Sequence, residues 1–166
     1  MKRRFPVSQQ MAGLAGWIAG TAVAATVGTI ASVDAGAFYA QLQRPTWGPP
    51  ASWFGPVWTT LFVLMAIAAW RVWRVDGFAP ARRALTLYVV QLGLNALWSW
   101  LFFGWHRGAL AMLDIVVLWL AIVATMRAFA RHDGLAAWLL APYLAWVSFA
   151  AALNFAVWRM NPQLLG

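Results

Sequence analysis

Five runs of predominantly apolar residues, at roughly 11–33, 54–74, 84–103, 108–127 and 135–158, govern what this chain can become. A run of about twenty residues, wound at about 1.5 Å per residue, spans the roughly 30 Å of bilayer hydrocarbon. In that solvent every backbone N–H and C=O has to be paired within the segment, so runs of this length cross as α-helices. The expected fold is an all-α membrane protein, a bundle of five transmembrane helices forming a single domain over residues 1–166, with the lipid bilayer as its first partner.

Composition supports the same reading. Apolar residues make up 63% of the chain and charged residues 10%, against about 45–50% and roughly 25% in soluble domains. The carboxylates are Asp34, Asp76, Asp114 and Asp133, with no glutamate, and the formal charge is +8. The basic residues sit in short clusters between apolar runs rather than along one face, which suits membrane-surface loops and argues against nucleic acid. The absence of cysteine excludes disulfides, thiol nucleophiles and thiolate metal sites.

The clusters also set a direction. Lys2, Arg3, Arg4, Arg71, Arg74, Arg82, Arg83, Arg127 and Arg131 fall on one side of the membrane, and Arg44, Arg107 and Arg159 on the other. Basic loops stay cytoplasmic, so the N-terminus is expected inside and the C-terminus outside if the host is an inner membrane. Met11–Val33 follows three basic residues as a signal peptide does. Its apolar run exceeds a signal core of 7–15 residues and precedes four more spans, so it reads as a retained first helix. The loop 34–53 is the longest connection; the others are short, which makes successive helices antiparallel neighbours.

Several features inside the spans bear on function. Gly16, Gly20, Ala24 and Gly28 form a small-residue stripe on the first helix, suited to close packing within the bundle or across a dimer. Gln91, Asn95 and Ser99 share one face of the third helix, and Asp114 lies about two turns into the fourth. Polar groups at this depth form an interhelical hydrogen-bond cluster or a ligand or proton site. Of the thirteen tryptophans, Trp70, Trp73, Trp105, Trp138 and Trp158 lie near helix ends, as interfacial anchors do. Trp58, Trp98, Trp100, Trp119 and Trp146 lie deeper, where they fill space or line a cavity. Pro142 is expected to kink the fifth helix. His106 and His132 lack partners at metal-ligand spacing and read as solvated loop residues. Asp76 and Asp133, with the arginines around them, read as solvated interface charges. No GxSxG, HExxH, Walker or dinucleotide motif is present.

Three stretches together resemble the TspO/MBR family, the tryptophan-rich sensory proteins related to the mitochondrial translocator protein (peripheral benzodiazepine receptor). They are Phe38-Tyr39-Ala40-Gln41-Leu42-Gln43-Arg44-Pro45-Thr46-Trp47-Gly48-Pro49-Pro50 with Phe54-Gly55-Pro56-Val57-Trp58; Gln91-Leu92-Gly93-Leu94-Asn95-Ala96-Leu97-Trp98-Ser99 with Phe102-Phe103-Gly104; and Pro142-Tyr143-Leu144-Ala145-Trp146-Val147-Ser148-Phe149-Ala150 with Leu153-Asn154. Asp114 stands where the family often has an aspartate. The resemblance implies a five-helix bundle, commonly a homodimer, with a pocket open toward the long first loop. It implies binding of protoporphyrin IX or haem, of sterols, and of benzodiazepine-type or isoquinoline carboxamide drugs, with no obligatory cofactor and no metal site.

Carried over by position, the ligand-binding residues are Tyr39, Trp47, Trp58, Asn95, Trp146, Ala150 and Leu153. Phe38-Tyr39 replaces the family's usual Trp-Tyr pair, and Arg44 replaces its loop lysine. The sterol motif of animal members reads Leu153, Phe155 and Arg159 here, without its tyrosine, and such motifs are weak even when complete. The resemblance supports a tetrapyrrole-binding sensor or translocator acting in porphyrin handling and stress response. Its alternatives are a light- and oxygen-dependent porphyrin-degrading enzyme using Trp58 and Trp146, with no conventional catalytic residues, and a structural or partner-regulating membrane protein.

Overall fold

A computed structural model describes residues 5–166; Lys2, Arg3 and Arg4 of the charge asymmetry lie outside the described residues. Helix α1 covers Val7–Ala31, and a short α2 covers Ala35–Gln41 within the first loop. A 3-10 turn, Ala51–Trp53, runs directly into α3, Phe54–Asp76. Helix α4, Phe78–Ser99, is prolonged by a π turn, Trp100–Gly104, and is followed by α5, Gly108–Ala130. The last span is divided into α6, Gly134–Leu139, and α7, Ala141–Met160. Among the described residues, five helical stretches are long and apolar enough to cross a membrane: Val7–Ala31, Ala51–Asp76, Phe78–Gly104, Gly108–Ala130 and Gly134–Met160.

The connections explain the sharp reversals. A single residue, Gly77, joins α3 to α4 at φ 75°, a left-handed conformation that glycine adopts without the clash of a Cβ. Its N–H returns to the Trp73 carbonyl at 2.7 Å. At the other end of α4 the π turn closes with Trp105 N–H donating to Trp100 O at 2.7 Å. Asp133 caps α6 by accepting from the Leu135 and Ala136 amides at 2.9 and 3.2 Å. Pro142 does not bend a continuous helix as expected. The break falls at Leu140, and the proline occupies the first turn of α7, where its missing N–H costs nothing.

Asp76 and Asp133 are paired rather than simply solvated. Arg71 meets Asp133 at 2.8 Å, and His132 meets Asp76 at 2.6 Å, fastening the end of α3 to the α5–α6 connection. His132 is therefore a contact residue rather than a free loop side chain. His106 is exposed, but its ring stacks on Phe38 at 4.0 Å.

Helix α4 packs along α5, α1 along α3 and α4, and α7 along α5. The central core joins Met65, Ala69 and Val72 of α3, Leu85 and Tyr88 of α4, Leu118, Ile122 and Phe129 of α5, and Tyr143 and Val147 of α7. In lipid such packing is held by dispersion and interhelical hydrogen bonds rather than by expulsion of water. Helix α1 is the least buried of the five spans. Thr21 and Tyr88 share a hydrogen bond of 2.7 Å, and Gly28 lies against Ala96 and Ser99 of α4. Gly16 and Gly20, farther along the small-residue stripe, face open space.

Candidate ligand-binding site

Helical spacing brings small residues of α1 opposite large aromatic residues of α3 and α4, and the mismatch leaves a cavity of about 400 Å³. Ala25, Gly28 and Thr29 of α1, with Ser32 just past its end, form one wall. Phe54, Trp58, Thr59 and Phe62 form the α3 wall, and Asn95, Trp98 and Ser99 line it from α4, with Phe103 from the π turn. This volume falls within the range of about 300–1,000 Å³ usual for small-molecule sites.

Neighbours fix the lining side chains. Trp58 lies 5.6 Å from Phe62 and edge-on to Tyr143 at 6.2 Å. Trp98 stacks on Phe102 at 5.3 Å and donates its indole N–H to Asn154 Oδ1 at 3.1 Å. Asn95 is buried and donates through Nδ2 to the Tyr143 hydroxyl at 3.2 Å. The hydroxyls of Thr29, Ser32 and Thr59 each donate to the carbonyl four residues earlier on their own helix. The result is a mainly apolar, aromatic cavity with one buried amide at its inner wall. Such a surface can stack on a flat ligand and orient one polar group.

The first loop covers this end of the bundle. The Tyr39 hydroxyl donates to the Pro49 carbonyl at 3.1 Å, its ring meets Phe54 edge-on at 5.5 Å, and the Arg44 guanidinium lies 4.8 Å from its centroid. Burial pushes the Tyr39 phenol above its ordinary value, with Arg44 pulling in the opposite direction. Loop and α7 are tied together through Gln43 and Asn161.

The residues expected at the site separate into two groups. Tyr39, Trp58 and Asn95 line the cavity; Trp47, Trp146, Ala150 and Leu153 do not. Trp47 is exposed and meets Phe149 edge-on at 5.8 Å. Trp146 contacts Phe54 at 5.9 Å and Phe149 at 5.5 Å, so it reaches the cavity only through Phe54. Its indole N–H is buried without a partner. Ala150 and Leu153 are buried in the two core clusters, Leu153 beside Phe38, Tyr39 and Leu42. The walls come from α1, the first loop, α3 and α4, without α7.

The polar face of α4 also divides: Gln91 Nε2 reaches Met65 Sδ at 3.9 Å, while Asn95 and Ser99 face the cavity. Asp114 is buried, and its Oδ2 has no hydrogen-bond partner. The α1 wall was the part that sequence reasoning missed. Its sequence signal is the small residue Gly28, which serves here both as wall and as packing contact against Ser99 and Ala96. Among the described residues no cluster of His, Cys, Asp and Glu suited to a metal ion occurs.

The sequence profile of the TspO/MBR family matches residues 16–159, which contain all the walls of this cavity. The chain belongs to the TspO/MBR family. Similar proteins include Protein CrtK of Rhodobacter capsulatus, 45% identical over 132 residues that cover 76% of this chain and 80% of that protein. The tryptophan-rich sensory protein of Cereibacter sphaeroides is 39% identical over 145 residues, covering 87% and 89%. The translocator protein of Homo sapiens is 43% identical over 126 residues, covering 75% of each. This TspO/MBR protein is thus an integral, multi-pass membrane protein, and the five-helix architecture of its family agrees with its five spans.

Proposed function

We propose that this TspO/MBR protein binds a flat tetrapyrrole, protoporphyrin IX or haem, within the membrane and acts as a sensor or translocator in porphyrin handling and stress response. One observation carries the reading: Trp58, Phe62 and Trp98 surround a cavity whose inner wall presents the buried amide of Asn95. Aromatic faces match a macrocycle, and an amide matches its polar substituents. Tyr39 would contribute from the loop. Saturable protoporphyrin IX binding by the purified chain in lipid nanodiscs tests the reading; unsaturable partition into the bilayer would count against it.

Simple binding is favoured over photooxidative degradation. The degradative chemistry would place both Trp58 and Trp146 at the ligand, and Phe54 intervenes at Trp146. Sterol binding has less support, because Phe155 replaces the motif tyrosine while Leu153 is buried in the core. Benzodiazepine-type drugs share the flat aromatic character this cavity suits. A homodimer is proposed with Gly16 and Gly20 in its seam, since both are small, lie on one face and have open space beyond them. A cytoplasmic N-terminus is proposed from the uneven distribution of arginine and lysine, and reporter fusions at both ends test it.

A further inference from the structure

The first loop is tied down over part of the cavity, which also continues to the exterior along a seam between two transmembrane helices. Tyr39 holds Pro49, Asn161 holds Gln43 in both directions, and Phe38, Tyr39 and Leu42 are buried in the cluster containing Leu153 and Val157. Gly36 and Ala51 are exposed lining residues within the loop itself, and the exposed lining continues along the α1–α3 seam to Thr29, Gly55 and Thr59.

The last three belong to membrane-spanning stretches. Thr59 is eight residues beyond Ala51, where the apolar span begins, about 12 Å along the helix axis, a depth that falls in the hydrocarbon when the span Ala51–Asp76 crosses a bilayer. Exposure at that depth means contact with acyl chains rather than water. Gly55 keeps the seam open because it has no side chain and nothing would meet a Cβ there.

We infer that the cavity is loaded sideways from the bilayer, through a lateral mouth between α1 and α3. Its ligand class is a membrane-dissolved amphiphile. The flat apolar body passes between Thr29 and Thr59, and the polar group reaches Asn95. This rests on the proposed binding role only in using the same cavity. The loop stays anchored as a partial roof through Tyr39 and Asn161, and the bilayer is the reservoir that concentrates the ligand.

The natural absence of cysteine allows a test without any ligand. Ser99→Cys places a thiol on the inner wall, and Thr29→Cys places one at the mouth, as the reference. In proteoliposomes the inner thiol should react with a lipid-soluble pyrene maleimide within about tenfold of the rate at the mouth. A charged, membrane-impermeant methanethiosulfonate should leave it unmodified. Adding Thr59→Trp should slow the maleimide reaction at the inner thiol at least fivefold, whereas adding Asn161→Ala to loosen the roof should not accelerate it. Modification of Ser99→Cys by the charged reagent, acceleration by Asn161→Ala, or failure of both reagents while Thr29→Cys reacts would overturn the inference. Because no tetrapyrrole is present, these outcomes are independent of whether protoporphyrin IX binds.

Discussion

Asn161 and Gln43 exchange two hydrogen bonds of 2.8 Å, the asparagine side chain accepting from the Gln43 amide and donating to its carbonyl. The same Nδ2 also lies 2.7 Å from the Val157 carbonyl. One buried side chain therefore joins the first loop to the end of the last helix. It satisfies backbone groups that would otherwise be left unpaired.

Asn161→Ala should release the loop at a cost of about 2 kcal/mol, the net worth of these contacts. Hydrogen exchange is expected to quicken for amides between residues 35 and 50 while those of α5 stay protected. Uniform loss of protection across the bundle would show that Asn161 supports the whole fold instead.

Asp133 has two roles that substitutions can separate. Asp133→Asn retains an acceptor for the Leu135 and Ala136 amides but removes the charge facing Arg71. Asp133→Ala removes both. Loss of the cap adds about 1 kcal/mol, so thermal midpoints should fall in the order wild type, Asn, Ala. Equal midpoints for the two variants would assign the effect to the ion pair alone.

Glycine replacements provide a packing test. A Cβ at Gly108 would lie 2.5 Å from Trp158 Cδ1 and 2.9 Å from the Leu165 carbonyl, so Gly108→Ala should destabilise by about 1–3 kcal/mol. Gly93→Ala meets nothing within 4 Å and should be neutral or mildly stabilising, because alanine favours helix. Thermal unfolding in one detergent compares the two directly.

The Tyr39 phenol provides a pH signature. Burial raises its folded-state value above the ordinary 10.0, so the neutral form is favoured in the fold. Its contribution is complete below pH 10.0 and declines as pH rises from there through the raised value. Loop protection should therefore persist through neutral pH and weaken only above about 10. Tyr39→Phe should lose the Pro49 hydrogen bond at every pH and abolish that alkaline step in hydrogen exchange.

The sequence revealed the fold more fully than the site. Segment length and backbone hydrogen-bonding demands identified five helices, because these constraints act locally. Tyr39, Trp58 and Asn95 came from the family resemblance, and the structure places all three in the cavity lining. Trp146, Ala150 and Leu153 share one face of α7 by their spacing, yet which neighbour that face meets depends on how α7 rotates against α5 and the loop. The break at Leu140, just before Pro142, belongs to that tertiary arrangement. Gly28 illustrates the opposite difficulty, since a residue without a side chain carries no chemical signal even where it forms a wall. The pairings of Asp76 with His132 and Asp133 with Arg71 join residues more than fifty positions apart, beyond what local pattern can show.

The central claim is that the aromatic cavity between α1, α3 and α4 holds a flat tetrapyrrole. Protoporphyrin IX titration of the full chain in nanodiscs, followed by tryptophan quenching and porphyrin absorbance, tests it most directly. Trp58→Ala and Asn95→Ala should each weaken binding about tenfold or more, equivalent to about 1.4 kcal/mol. Trp119→Phe, outside the cavity lining on α5, where the indole donates to Ser148 Oγ of α7, should leave affinity unchanged. Wild-type affinity in folded Trp58→Ala and Asn95→Ala proteins would contradict the account.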